Sequence, residues 1–129
     1  MRMTQAEYQD YIARQIKKQF VSKPPDAVAD ESDLHSQILD FCRSRGWIAF
    51  HGSMAHRAMR TAGEPDFTVL ADGGRVFFFE CKSKDGKLST EQLGMIAWGA
   101  KLGHTIHVIY SLGQLADIVD QPKLMPSQS

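Results

Sequence analysis

Three ionisable side chains flank a predicted β-hairpin, at positions where a sheet would ordinarily carry apolar residues. Asp66 stands immediately before a short apolar strand that begins at Phe67, and Glu80 and Lys82 end a second apolar run that begins at Val76. Side chains two residues apart on a strand point to the same face, so Glu80 and Lys82 share one. Two carboxylates and one amine grouped in this way could bind a cation and activate a water molecule.

The turn between the two strands decides whether the acids meet. Asp72-Gly73-Gly74 is typical of a tight turn, since glycine accepts positive φ at no steric cost. A three-residue loop sets Ala71 opposite Arg75 and Asp66 opposite Glu80, with the two acidic side chains about 5 Å apart. A slip of one residue would instead put Asp66 on the other face.

Carboxylates that face each other repel, at a cost on the order of 0.2–1 kcal/mol, and a divalent cation removes that cost. Mg²⁺ prefers oxygen ligands and is commonly held by one or two carboxylates, waters and a substrate phosphate. Lys82 lies on the same face and could hold or deprotonate a water beside the metal. The spacing therefore predicts a magnesium site at Asp66 and Glu80.

The residues around the hairpin also resemble a known nuclease signature. Pro65-Asp66 followed by Glu80-x-Lys82 has the order of the PD-(D/E)xK motif. The flanking residues are Gly63-Glu64 before the hairpin and Gly86-Lys87-Leu88-Ser89-Thr90-Glu91-Gln92 after it. With these flanks the chain resembles the VRR-NUC group, the virus-type replication–repair nucleases, over roughly residues 31–110.

The resemblance implies roles for further residues. In that family the helix before the sheet supplies a glutamate to the metal, and Glu31 matches this position best, with Asp33 as the alternative. Both acids also suit the positive end of a helix dipole. The carbonyl of Cys81 is implied as another metal ligand. Gln92 matches a glutamine that orients groups at the catalytic site, although it also fits as the capping partner of Ser89.

The implied function is a metal-dependent nuclease that hydrolyses phosphodiester bonds in DNA, with Mg²⁺ as cofactor and Mn²⁺ able to substitute. The resemblance further implies structured or branched DNA, such as a junction or flap, and a homodimer. The small size suits a phage protein or a DNA repair factor. The rival hypotheses are a non-catalytic nucleic-acid-binding or assembly module with the same fold, a nuclease acting on RNA, and a purely structural ion cluster.

Composition fits one compact domain. The chain has 129 residues, of which 43% are hydrophobic and 23% charged, and its formal net charge is zero. Zero net charge argues against a protein that coats DNA nonspecifically, but it allows a local basic face. Cys42 and Cys81 show no metal or redox spacing and are expected to be buried thiols. We expect a cytoplasmic protein, because no signal peptide or membrane span is visible.

The pattern predicts an α/β fold with a restriction-endonuclease-like core, in which helices flank a mixed central sheet. Capping boxes predict helices at residues 5–19 and 90–101. Further helices are predicted at 31–45, from its periodicity, and from 111 to about 119. Strands are predicted at 47–50 and 105–110, the latter parallel to its neighbour through a helical crossover. The domains expected are an N-terminal helical extension (1–25, with 24–30 as a linker), a nuclease domain (26–120) and a polar tail (121–129).

Two surfaces are expected to make intermolecular contacts. The N-terminal amphipathic helix must bury its apolar stripe, either on its own domain or in a dimer. A basic loop at residues 51–62 and a lysine-rich turn after Lys82 suit phosphate contacts with DNA. The candidates are His51, Arg57 and Arg60 in the loop, and Lys84 and Lys87 in the turn.

Overall fold

The computed structural model describes residues 3–19, 23–52 and 61–121. It contains four α-helices and four strands in these ranges, with a one-turn 3-10 helix at Asp72–Gly74. In chain order the elements are α1 (Gln5–Gln19), α2 (Glu31–Arg45), β1 (Ile48–His51), β2 (Phe67–Leu70), β3 (Val76–Cys81), α3 (Thr90–Lys101), β4 (Ile106–Ile109) and α4 (Leu112–Val119). The predicted α/β class and the N-terminal helix are both present.

The sheet is mixed and its strands follow the order of the chain. β1, β2 and β3 are antiparallel neighbours, and β4 lies parallel to β3 after the α3 crossover. The predicted hairpin register is confirmed, since the Ala71 N–H donates to the Arg75 carbonyl at 2.9 Å. The two predicted flanking strands were slightly misplaced: β1 lies one residue later than predicted, and β4 is shorter.

Alternation along the strands divides the core into two layers. The larger layer lies between the sheet and the helices α2 and α4, and its buried members are Leu34, Ile38, Cys42, Phe67, Val69, Phe79, Cys81, Ile109, Leu115 and Val119. The smaller layer lies beneath α3, where Ile96, Val108 and Tyr110 meet. Cys42 and Cys81 are both free and buried, as predicted. Each face of the sheet is thus covered by helices.

Side-chain caps define where the helices begin. Asp30 accepts from the Ser32 N–H at the start of α2, and Ser111 accepts from the Gln114 N–H at the start of α4. Ser89 and Gln92 form the predicted capping box of α3. These bonds satisfy backbone donors that have no partner within the helix.

The segment predicted as a linker, residues 24–30, is tied to the rest of the domain. The Val28 N–H donates to the Tyr110 carbonyl at 2.8 Å, and the Val28 carbonyl accepts from the Lys84 N–H at 2.7 Å. The segment is therefore not a free tether, because main-chain bonds that no side-chain pattern reveals hold it in place.

The helix α1 packs against α3 within the same chain, and the Lys101 ammonium lies 5.3 Å from the ring centre of Tyr8. Its contacts thus include its own domain, which is one of the two alternatives for its apolar stripe. The predicted polar tail lies outside the described residues from 122 onward.

Candidate active site

The confirmed register brings the two predicted acids face to face. Phe67 pairs with Phe79 in the ladder, and one further residue along the hairpin sets Asp66 opposite Glu80. The two carboxyl groups lie close enough for each to shift the pKa of the other. Glu80 is only 2% exposed, so this pair lies at the buried end of the hairpin, away from the glycine turn. We refer to Asp66 and Glu80 as the acid pair.

Burial and mutual repulsion give the acid pair unequal proton affinities. Burial, the Asp66 charge and the close side-chain contact with Asp66 raise the pKa of Glu80 to about 9, against a smaller opposing effect of Lys82. Burial alone would also raise the pKa of Asp66. The contacts with His35, the Cys81 N–H and Glu80 outweigh burial and hold that pKa below its usual value. The raised pKa of Glu80 and the lowered pKa of Asp66 mean that the pair favours a single negative charge at neutral pH.

Gln92 connects the acid pair to the start of α3. Its Nε2 donates to Glu80 Oε1 at 2.7 Å, while its Oε1 accepts from the Ser89 N–H at 2.9 Å. The amide is thus oriented by a bond at each end.

Lys82 follows Glu80 on the same strand face and is 9% exposed. Its N–H donates to the Ile109 carbonyl at 3.0 Å, which extends the parallel ladder beyond the end of β3. A Cβ on Gly86 would lie 3.3 Å from Lys82 Cδ, so a residue without a side chain leaves room for this lysine. The charge of Lys82 opposes the rise in the pKa of Glu80, so the amine acts electrostatically on the acid pair.

Of the two helix acids, Glu31 has the stronger electrostatic effect on the site. Its charge helps to raise the pKa of both Glu80 and Cys81, although burial is the main cause in each case. Asp33 is exposed, and its charge is not among the causes of either shift. Both acids sit in the first turn of α2.

A histidine outside the predicted set of site residues also reaches Asp66. His35 Nε2 lies 3.7 Å from Asp66 Oδ2, and the same oxygen accepts from the Cys81 N–H at 2.8 Å. His35, Asp66 and Cys81 each offer a ligand atom, and the three atoms lie within 4.8 Å of one another. His35 stands four residues after Glu31, on the same face of α2, and this spacing is a signal that could have found it.

The predicted DNA contacts are only partly within the described residues. His51 is in β1, not in the loop where it was predicted, and its ring stacks on Phe67 at 4.4 Å between centroids. Lys84 and Lys87 are exposed after β3, as a lysine-rich turn requires. Arg57 and Arg60 lie outside the described ranges.

Comparison with known proteins identifies the fold. No protein-family model and no curated protein matches the chain. Among solved structures, a VRR-NUC domain superposes with a TM-score of 0.58 and 22% sequence identity, covering 70% of this chain and 95% of that one. This chain has the VRR-NUC fold. The predicted nuclease-like α/β core is thereby confirmed.

Three parts of the fold supply the residues of the candidate site. The hairpin supplies the acid pair and Lys82, α3 supplies Gln92, and α2 supplies Glu31 and His35.

Among the described helices, none combines the length and apolar character that crossing a membrane requires.

Proposed function

We propose that the chain is a nuclease that hydrolyses phosphodiester bonds in DNA and uses Mg²⁺, with Mn²⁺ able to substitute. The observation that carries the proposal is the buried acid pair, whose two members face each other across a hairpin beside Lys82 and Gln92. A fold alone does not define an activity, so the proposal rests on this constellation of side chains.

The donor set fits a hard divalent cation. Without a cation, Glu80 keeps its proton up to about pH 9, because two adjacent buried charges are unfavourable. A cation between Asp66 and Glu80 would favour the ionised form of both. Glu31 and the carbonyl of Cys81 are the further oxygen ligands we propose. When bound, Mg²⁺ stabilises charge on the phosphoryl oxygens.

The other residues position the reacting groups. Lys82 lies on the face of Glu80 and would hold, or take a proton from, the attacking water. Gln92 orients the Glu80 carboxyl group, because its amide accepts a hydrogen bond from the Ser89 N–H and donates one to Glu80 Oε1. A group oriented in advance loses less entropy when the substrate arrives.

Exposed lysines supply the proposed DNA contacts. Lys84 and Lys87 follow Lys82 directly and would bind backbone phosphates, which position the duplex without reading its sequence. Arg57, Arg60 and His51 are proposed for the same role on the strength of their charge and position in the sequence. Branched DNA as the preferred substrate and a homodimeric assembly are proposed from the family resemblance.

The test uses linear duplex, flap and four-way-junction DNA with Mg²⁺ or Mn²⁺, each beside an EDTA control. Wild-type protein is expected to cut in a metal-dependent way, and Glu80→Gln and Lys82→Ala are expected to be inactive while folded. Glu91→Gln and Lys101→Ala are the matched controls, because both residues are exposed on α3. Junction binding that survives EDTA without any cutting would instead support the non-catalytic binding module.

A further inference from the structure

Cys81 belongs to the α2 side of the sheet, and its thiol lies near His35 of α2 and near Asp66, which also faces Glu80. We propose that His35 Nε2, a carboxylate oxygen of Asp66 and Cys81 Sγ form a site for a thiophilic divalent cation, namely Zn²⁺. One ring nitrogen of His35, one carboxylate oxygen of Asp66 and Cys81 Sγ lie within 4.8 Å of one another, and Nε2 is the nitrogen 3.7 Å from Asp66 Oδ2. We call these three atoms the thiol site.

The imidazole of His35 is oriented as in metal-binding histidines. Its Nδ1 lies 3.2 Å from His51 Nε2, which leaves Nε2 directed toward Asp66. Histidine ligands ordinarily use one ring nitrogen for the metal and the other for a hydrogen bond that fixes the ring. Among the described residues, no atom forms a hydrogen bond with the buried Nε2. A cation would give this nitrogen a partner.

The distances between the ligand atoms suit tetrahedral coordination of a small cation. Two ligands bound to Zn²⁺ at about 2.0–2.1 Å each in a tetrahedral arrangement lie roughly 3.4 Å apart. The observed 3.7 Å between His35 Nε2 and Asp66 Oδ2 exceeds a hydrogen bond but is close to that value. For Cys81 Sγ, side-chain rotation must close the remaining gap by about 1 Å at most.

Ligand chemistry selects the metal. Imidazole and thiolate are ligands that Zn²⁺ prefers, whereas Mg²⁺ prefers oxygen. On binding, the Cys81 S–H bond breaks, its proton leaves to solvent, and sulfur donates the electron pair to the metal. His35 and Asp66 retain 23% and 17% side-chain exposure, so a cation can enter from their side. Three protein ligands leave a fourth position for water.

The thiol site shares Asp66 with the proposed magnesium site. If the proposed nuclease function holds, Zn²⁺ bound there withdraws Asp66 from the acid pair and inhibits cleavage. Zinc occupancy would then couple the availability of this metal to the activity of the enzyme. The existence of the site does not depend on that consequence.

The test uses Co²⁺ as a spectroscopic substitute for Zn²⁺ on the full-length protein without DNA. We expect a thiolate-to-cobalt charge-transfer absorption that one equivalent of Zn²⁺ removes. The band should persist in Cys42→Ser, whose buried thiol lies outside the thiol site, and disappear in both Cys81→Ser and Cys81→Ala. His35→Gln should weaken Zn²⁺ binding, because glutamine lacks the imidazole nitrogen that binds the metal.

Absence of the band in folded wild-type protein would overturn the proposal, as would its persistence in folded Cys81→Ala. Thermal melts establish that each variant is folded. Two Cys81 variants are used so that the test still holds if one of them misfolds. Glu80→Gln separates the two proposals, since it should abolish cleavage and keep the cobalt band. Failure of the nuclease assay would thus leave the cobalt result interpretable, and the reverse holds too.

Discussion

Gln92 and Glu80 are joined by a hydrogen bond of 2.7 Å between Nε2 and Oε1, although one residue starts a helix and the other lies near the end of a strand. The same Gln92 amide accepts from the Ser89 N–H at 2.9 Å, as the capping partner of α3. Helix capping and orientation of the acid pair are therefore two functions of one side chain. A change at Gln92 should affect both the stability of α3 and the chemistry at Glu80.

Gln92→Met tests this dual function, because methionine keeps the length and removes both hydrogen bonds. We expect the free energy of unfolding to fall by about 1–3 kcal/mol, since a buried acceptor on Glu80 loses its donor. Metal affinity and cleavage should fall as well. Denaturant melts, metal titration and the DNA assay measure the three effects.

Ser111→Ala is the matched control for the cap alone. The Ser111 hydroxyl caps α4 by accepting from the Gln114 N–H at 3.1 Å, as the Ser89 hydroxyl accepts from the Gln92 N–H at the start of α3. Its loss should cost about 1 kcal/mol of stability and leave cleavage unchanged. Equal loss of cleavage in both variants would show that Gln92 acts only through overall stability.

The pKa of Glu80 predicts how the stability of the metal-free protein depends on pH. The folded state holds a proton on Glu80 up to about pH 9, whereas the unfolded chain releases it near the ordinary value of 4.5. The folded state thus binds more protons in this interval, and stability falls as pH rises through it. Below the ordinary value the contribution is fully present.

Glu80→Gln should abolish this pH dependence, because glutamine does not titrate. Thermal melts in EDTA at a series of pH values within the interval provide the comparison. Mg²⁺ should raise the melting temperature of the wild type most at the alkaline end, where the proton competes least. A wild-type curve that rises with pH over this interval would contradict the assigned proton on Glu80.

Two glycines near and within α3 predict opposite effects of the same substitution. Gly63 has φ of +80°, and a Cβ there would lie 2.3 Å from the Glu91 carbonyl oxygen. Gly63→Ala should lower the free energy of unfolding by about 2–4 kcal/mol and displace the helix start that bears Gln92. Gly94 lies inside α3, and a Cβ added there would have no described atom outside its own helix backbone within 4 Å.

Gly94→Ala should therefore raise stability by about 0.5–1 kcal/mol, because alanine restricts the unfolded chain more than glycine does. Denaturant melts of both variants test the pair of predictions together. If Gly63→Ala and Gly94→Ala change the free energy of unfolding in the same direction and by similar amounts, segment 61–66 does not contact α3 in solution.

Removal of residues 1–19 tests the role of α1. Since α1 packs on α3 within one chain, we expect a lower melting temperature. We expect the number of subunits, as determined by light scattering, to be unchanged. The deletion stops before Lys23, whose ammonium hydrogen-bonds the carbonyls of Lys84 and Gly86. A loss of mass to that of a single subunit would instead support an α1 contact between subunits.

Local patterns predicted much of this fold. The bounds of α1 and α2 and the hairpin register follow from caps, periodicity and turn chemistry within a few residues of each feature. The acid pair was predictable for the same reason, since the register of a short hairpin depends on its turn alone. The assignment of Glu31 needed the family resemblance.

Contacts between distant segments were not predictable in this way. The spacing of His35 from Glu31 places it on the right face of α2, but its contact with Asp66 depends on how α2 packs. Val28 is held by main-chain bonds to two distant segments. Val76 belongs to an apolar run yet is 49% exposed at the turn end of β3. Each of these features depends on how elements pack, which sequence periodicity does not encode.

The strand order also has a kinetic consequence. Pairing β2 with β3 closes a three-residue turn, whereas pairing β3 with β4 must close the longer stretch 82–105, at a greater entropic cost. We expect the acids to meet in an early hairpin, before α3 brings Gln92 to Glu80. Their repulsion then opposes the first folding step, so stopped-flow refolding should be faster with Mg²⁺ or for Glu80→Gln. Equal rates would show that the hairpin forms late. Faster refolding in either case would show that the residues proposed for catalysis slow the folding of the domain that carries them.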